Sequence, residues 1–175
     1  MTSFDDAIGA GPAVQRLRSL FPDGLSAVPG AVARALERGD SAGALDKARR
    51  RWSQRGPEDR VGSVTYATLL IIRGLLGEAE GILDKITAKH PADPAVAILC
   101  AERHVLLAEH DRARATLEEI EPDDLSHPGI WGLAGDLYID MGFDEEAMQS
   151  YSRALEEGAE DLEISIRLGQ LAMAA

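Results

Sequence analysis

Cysteine, lysine and aromatic residues are scarce in this sequence. A single cysteine, Cys100, excludes an internal disulfide and any metal site built from several cysteines. Aromatic residues make up only 5% of the chain and apolar residues 45%, which excludes a disordered chain and predicts a core of small aliphatic side chains. No apolar run approaches the roughly 18 to 20 residues that cross a bilayer, so no membrane span is expected. Residues 1–11 carry acids and no basic segment, which indicates that a secretory signal is absent and favours a cytoplasmic location.

The negative charge is concentrated in the later part of the chain. Residues 1–58 hold nine basic and seven acidic side chains, a net charge of +2, whereas residues 59–175 hold nine basic and twenty-three acidic ones, a net charge of −14. Because such an acidic surplus repels phosphates, we expect no nucleic-acid partner. A partner that is basic or apolar fits this charge better. Fifteen arginines against three lysines, with abundant alanine and glycine, indicate a bacterial source.

A pattern of small and large apolar residues recurs at a step of 34 residues. It begins at Ala79, Ala113 and Ala147, and each alanine is followed four positions later by a leucine or a tyrosine. Residues upstream of these alanines recur at the same step. Gly74 and Gly142, for example, lie two steps apart. Helical spacing within each copy predicts two helices joined by a sharp turn. The repeat as a whole predicts an all-α solenoid of stacked helix-turn-helix units.

The repeat divides the chain into four units and a half-unit. A weaker first copy is offset by 35 residues rather than 34, with the extra residue near Gly56–Glu58. Prolines fall at the junctions between units, where they stop one helix or begin the next. The predicted repeat domain covers 25–175, with units near 25–59, 60–93, 94–127 and 128–161 and a capping helix over 162–175.

The fourth unit resembles the tetratricopeptide repeat, whose pattern is W-x₂-L-G-x₂-Y followed by A-x₃-F and a proline. Trp131, Gly135 and Tyr138 match the first part of this pattern, and Ala147 with Tyr151 matches the second. Alanine replaces the usual leucine, and this unit lacks the proline. The resemblance extends over all the units and implies a right-handed α-solenoid whose first helices line a concave channel.

Residues 1–24 lie outside the repeat. Their apolar stripe, which includes Val14, Leu17 and Leu20, predicts a short amphipathic helix. Terminal repeats need a cap for solubility, so an N-terminal capping helix is the first interpretation. A detachable helix that binds a partner is the alternative, and the sequence leaves open whether this segment caps the core or occupies the channel.

No motif of a catalytic, cofactor or metal site is present in the sequence. There is no phosphate-binding G-x-x-x-x-G-K and no H-E-x-x-H. His104 and Cys100 lie four positions apart, but two ligands do not make a zinc site, so we expect both to be packed core residues. The sequence therefore predicts that the protein is not an enzyme and binds no metal or cofactor.

The resemblance implies that the channel is lined by first-helix residues that face away from the packed alanines and glycines. Family members that grip the acidic tails of heat-shock chaperones use Lys, Arg and Asn there, and this set lacks those residue types. It is apolar in the middle and acidic toward the C-terminal end, which favours an apolar peptide or helix with basic edges. The predicted partner-binding residues are Val64, Thr68, Ile71, Ile98, Glu102, Val105, Leu133, Asp136 and Asp140.

The leading functional hypothesis is an adaptor that binds another protein or peptide in this channel. A self-assembling scaffold is a second hypothesis, in which a basic surface of one copy meets the acidic units of another to form a homo-oligomer. A small secretion-type chaperone that masks an apolar segment of its partner is a third. The basic surface consists of Arg49, Arg50, Arg51 and Arg55. If it binds no partner, it is a helix face that points into solvent.

Overall fold

Helices account for all the regular structure in the part of the chain that the computed structural model describes, residues 4–121, 127–159 and 162–174. Two short 3₁₀ turns, Gly24–Ser26 and Gly56–Glu58, lie between helices. The prediction of an all-α fold is confirmed. The helices are α1 (Phe4–Leu20), α2 (Gly30–Glu37), α3 (Ser41–Arg55), α4 (Arg60–Ile72), α5 (Leu76–Lys89), α6 (Pro94–Leu106), α7 (His110–Glu118), α8 (Pro128–Met141), α9 (Asp144–Glu156) and α10 (Leu162–Ala174).

Consecutive helices pack as pairs, and the pairs stack on one another. Helix α2 packs on α3, α4 on α5, α6 on α7 and α8 on α9, and α10 packs on α9. The first helices of successive pairs also touch, because α4 contacts α6 and α6 contacts α8. This stacking is the predicted α-solenoid, with the first helices forming its inner layer.

Each pair turns through one residue in the left-handed backbone conformation. Glycine adopts this conformation without a Cβ clash, whereas alanine does so at a cost of roughly 1–2 kcal/mol. A 2.9 Å hydrogen bond from the Glu109 N–H to the carbonyl of His104 closes the third turn. The turn residues are Gly39 (φ +74°), Gly74 (+70°), Ala108 (+57°) and Gly142 (+80°).

Aspartates begin several helices and also join neighbouring units. The side chain of Asp40 caps α3, that of Asp59 caps α4 and that of Asp93 caps α6, each by accepting a backbone N–H of the first turn. Asp59 is paired with Arg51 on α3, and the buried Asp93 is paired with Arg60 at the start of α4. These ion pairs fix where one unit follows the next.

Helix α1 lies against the inner layer of the solenoid. It contacts α4 and α8, and it also touches α2 and α3. Its residues Ala13, Leu17 and Leu20 are fully buried, as is Phe21 just beyond its end. Helix α1 therefore packs on the first pair of helices and also along the first helices of later pairs.

Candidate functional site

A cleft of about 790 Å³ remains beside α1 on the inner side of the solenoid. Helices α1, α8 and α10 contribute most of its lining, and the C-terminal ends of α4 and α6 and short loop segments contribute the rest. The volume lies within the roughly 300–1,000 Å³ that is typical of ligand-binding clefts. The inner face therefore keeps open space for a ligand while α1 is in place.

Aliphatic side chains from four helices line this cleft. Ile71 and Ile72 come from α4, Leu106 from α6, Leu133 from α8 and Ile164 from α10. Leu106 is 56% exposed and is the most accessible of the five. Ile71 and Leu133 are buried, and Ile72 and Ile164 are half-buried, so Leu106 offers the largest apolar surface to a ligand in the cleft.

The wall that α1 forms depends on a glycine at the start of α8. A Cβ built on Gly129 would lie 2.4 Å from the carbonyl oxygen of Ser19 and 2.9 Å from a ring carbon of His127. The Ser19 oxygen belongs to the backbone, so it cannot move aside as a flexible side chain does. Gly129 therefore allows α1 to approach α8 closely and sets the position of that wall.

An ion pair joins α1 to the inner layer beside the cleft. The Nη2 of Arg16 donates a hydrogen bond to Oε1 of Glu102 at 2.7 Å. Glu102 is only 9% exposed, and its second oxygen has no hydrogen-bond partner among the described residues. Burial raises the pKa of Glu102, although the Arg16 guanidinium opposes this rise. The folded protein therefore holds the proton of Glu102 more tightly than the unfolded chain does.

This raised pKa predicts a pH dependence of stability. The free energy of unfolding that Glu102 contributes should fall as the pH rises above 4.5, the value for an unperturbed glutamate, and level off above the raised pKa. Glu102→Gln removes this dependence, so the variant should gain stability relative to the wild type over that window. Urea denaturation from about pH 4 to pH 8 measures the difference. Glu156→Gln, at an exposed position on α9, controls for the change in net charge, and a Glu102→Gln difference that does not vary with pH contradicts the prediction.

A second polar cluster joins α8, α9 and α10 at the cleft. The hydroxyl of Tyr151 donates to Oδ1 of Asp136 at 2.7 Å, and Nη1 of Arg167 donates to the same oxygen at 2.6 Å. Arg167 also pairs with Glu163 at 2.7 Å on its own helix. Burial raises the pKa of Asp136, while the Tyr151 hydroxyl and the Arg167 charge oppose the rise. The acids of the cleft are therefore largely neutralised from within the chain.

Three of the predicted partner-binding residues have no exposed surface. Val64, Thr68 and Ile98 are fully buried, and the Thr68 hydroxyl donates to the carbonyl of Val64 at 2.8 Å. Because α1 packs along α4, a partner cannot reach this part of the inner layer while α1 is docked. The repeat spacing shows which face of a first helix points inward, but it does not show what lies over that face.

The other predicted residues lie in or near the cleft. Val105 is half-buried and Asp140 is exposed, and neither contributes to the cleft lining. The predicted residues that do line the cleft are Ile71, Glu102, Leu133 and Asp136.

The predicted basic surface is partly engaged in contacts within the chain. Arg49 donates to the Tyr66 hydroxyl at 3.1 Å, and Arg51 is paired with Asp59. Neither guanidinium is fully available to the acidic units of a second copy. Of these four arginines, Arg50 and Arg55 are exposed and have no ion pair among the described residues.

Sequence reasoning missed the arginines that neutralise the acids of the channel. Arg16 comes from α1 and Arg167 from α10, both outside the residues assigned to the channel. For Arg167 a signal was present, because it follows Leu133 by one repeat step of 34 residues and so belongs to the same inward face. For Arg16 no periodic signal existed, since α1 is not part of the repeat.

The described ranges offer neither a metal site nor a membrane span. There, no group of three or more His, Cys, Asp or Glu side chains could hold a metal ion. No described helix is both long and apolar enough to cross a bilayer. His104 lies 2.7 Å from Glu109 through its Nδ1, and burial raises the pKa of the half-buried Cys100 thiol.

Part of this chain matches a known family, and its fold is similar to that of solved structures. A family model described as tetratricopeptide repeat matches residues 70–137. A thermophilic TPR protein of Thermus thermophilus has a solved structure similar to this one, with a TM-score of 0.66 and 22% identity over 81% of this chain and 78% of that chain. A tetratricopeptide repeat protein from Parabacteroides merdae is also similar, with a TM-score of 0.61 and 20% identity over 79% of this chain and 54% of that one. No curated protein sequence matches the chain. Residues 70–137 therefore match the tetratricopeptide repeat, and the chain shares the solenoid fold of these two proteins.

Proposed function

We propose that this protein is an interaction module that holds an apolar segment of another protein in the cleft beside α1. The tetratricopeptide fold supports a general role in protein–protein interaction or scaffolding. The observation that carries the proposal is the open cleft on the inner face, lined by aliphatic side chains from four helices. A preformed apolar surface of this kind binds with little reorganisation of the protein, which favours affinity.

The internal ion pairs determine which partner chemistry suits the cleft. Glu102 and Asp136 already have guanidinium partners, so a basic residue of the ligand gains little from them. Asp140 is exposed and has no ion pair among the described residues, so it is the acid that a basic edge of the partner would meet. Apolar contacts therefore supply most of the binding free energy, and a charge near Asp140 contributes mainly to the rate of association and to orientation.

A displayed library of random peptides, sorted against the full chain, tests this function. Selected peptides should be apolar and should bind less tightly to Leu106→Gln, because a leucine that becomes buried on binding contributes about 1.5–3 kcal/mol, or roughly 10- to 100-fold in affinity. The dissociation constants can be measured by fluorescence anisotropy.

The neighbouring leucine provides a matched control. Leu107 is also exposed at the end of α6 but does not line the cleft, so Leu107→Gln should leave the affinity within about twofold. If no peptide is enriched, or if the selected peptides bind Leu106→Gln as tightly as they bind the wild type, the cleft is not the binding site.

A further inference from the structure

The caps of three inner helices recur at the repeat step. Asp59, Asp93 and His127 precede α4, α6 and α8 at intervals of 34 residues, and each side chain accepts a backbone N–H of the first turn. Both aspartates are paired with arginines, whereas His127 has no ion pair among the described residues. A histidine has an unperturbed pKa of 6.5. Of the three caps, His127 is therefore the one that can lose its acceptor near neutral pH.

His127 lies where α1 meets the first turn of α8. Its Nδ1 accepts the Gly129 N–H at 3.3 Å, so the proton of the neutral ring is on Nε2. That nitrogen is buried and has no hydrogen-bond partner among the described residues. Gly129 is also the residue that the Ser19 carbonyl of α1 approaches, because a Cβ there would lie 2.4 Å from this oxygen. The cap of α8 and the wall of the cleft therefore meet at one glycine, and both His127 and Ser19 line the cleft.

A proton on Nδ1 acts against this arrangement in three ways. The imidazolium has no acceptor for the Gly129 N–H, so the cap is lost. Its positive charge lies at the positive end of the helix dipole of α8. Burial also disfavours the charged ring and lowers the pKa of His127. All three effects favour the neutral ring in the folded protein.

Charged groups on the neighbouring elements act on the ring in both senses. The Leu20 backbone and Glu157, just after α9, oppose the effect of burial on the pKa of His127, while Arg60 of α4 acts in the same sense as burial. The other charged side chains that line the cleft are Arg16, Arg18, Glu102, Asp136, Glu163 and Arg167. Arg18 is exposed, and the rest form pairs within the chain. Among the described residues, the cleft therefore offers the imidazolium no unpaired carboxylate.

We infer that His127 is a pH-sensitive latch, which holds the end of α1 against the first turn of α8 when neutral and loosens this contact when protonated. Because the folded chain binds the proton more weakly than the unfolded chain, the latch is complete above pH 6.5 and weakens as the pH falls toward the lowered pKa. The contribution of Glu102 changes in the opposite sense, so the latch is seen in the difference between a His127 variant and the wild type. Its effect on a bound peptide rests on the proposed function, whereas the latch itself is measured on the free protein.

Hydrogen exchange of the free protein at about pH 7.5 and about pH 5 tests the latch, with His127→Asn as the comparison. Asparagine caps helices well and does not titrate, so it keeps the cap at both pH values. The protection factors of residues 17–21 and 129–133 in the wild type, divided by those in His127→Asn, should fall about 2- to 30-fold on acidification, the range that one cap contributes. His110→Asn, at an exposed position on α7, should behave as the wild type does. A ratio that does not change with pH overturns the inference.

An NMR titration of the wild type gives a second measurement that needs no substitution. The His127 ring should titrate below pH 6.5, and the amide shifts of Ser19 and Ile130 should follow the same midpoint. A ring that titrates without moving those amides shows that protonation stays local to the ring, which contradicts the latch. A midpoint at or above pH 6.5 contradicts it too, because the folded protein then does not resist the proton.

Discussion

Replacing Tyr151 by alanine is expected to lower the free energy of unfolding by about 3–5 kcal/mol. The side chain is fully buried, and its ring fills the space over Gly135, where a Cβ would come within 2.5 Å. Its hydroxyl donates to Asp136, and Arg167 approaches the same hydroxyl at 3.4 Å. Removal of the ring therefore leaves a cavity between α8 and α9, and it also takes one hydrogen-bond donor from a half-buried carboxylate.

The conservative variant separates the ring from the hydroxyl. Tyr151→Phe keeps the packing over Gly135, and Asp136 keeps its contact with Arg167, so a loss of only about 0.5–1.5 kcal/mol is expected. Guanidinium denaturation followed by circular dichroism measures both variants, with the slope of the transition as a check that the unfolded state is unchanged. Equal losses for alanine and phenylalanine would show that the hydroxyl network, and not the ring, holds α8 and α9 together.

Replacing Leu17 by alanine is expected to cost about 2–5 kcal/mol and to act first on α1. Leu17 is fully buried between α1 and the inner layer. Helix α1 also contains Gly9, Gly11 and Pro12, which are poor helix formers, so its structure depends on docking more than on its own propensity. A weakened contact at Leu17 should therefore let α1 open before the rest of the solenoid unfolds.

Hydrogen exchange resolved by segment distinguishes this local opening from global unfolding. In Leu17→Ala, amides of residues 13–20 should exchange faster than those of α8 and α9 by a larger factor than in the wild type. Gln15→Ala, at an exposed position of the same helix, should change stability by no more than about 0.5 kcal/mol. If α9 loses protection as much as α1 does in Leu17→Ala, the two are one cooperative unit, and α1 does not open separately.

Most of the repeat architecture could be predicted from the sequence because it is a property of local spacing. Ala79, Ala113 and Ala147, which mark the 34-residue step, are all fully buried. Gly74 and Gly142, which keep the same step, both have the left-handed backbone of the sharp turn between two helices. Each of these features depends on residues within one helix pair, so a repeated pattern is enough to find it.

The candidate site could be predicted only in part. Ile71, Glu102, Leu133 and Asp136 were assigned to the inner face from the repeat spacing, and they line the cleft. Their number and type gave no sign that the acids among them are paired within the chain. Of the three acids that a basic partner was expected to meet, Asp140 is the one that is exposed and has no ion pair among the described residues.

The sequence by itself determined the length of the repeat, the order of the helices and the inward face of each first helix, because helical periodicity fixes all three. Only the tertiary structure decided what lies in the channel. Arg16 and Glu102 are 86 positions apart, and Asp136 meets Arg167 from the helix that follows the last complete pair. Helix α1 lies outside the repeat, so its contacts follow no period. The repeat step places Arg167 on the inward face of α10, but it does not show which acid that arginine meets.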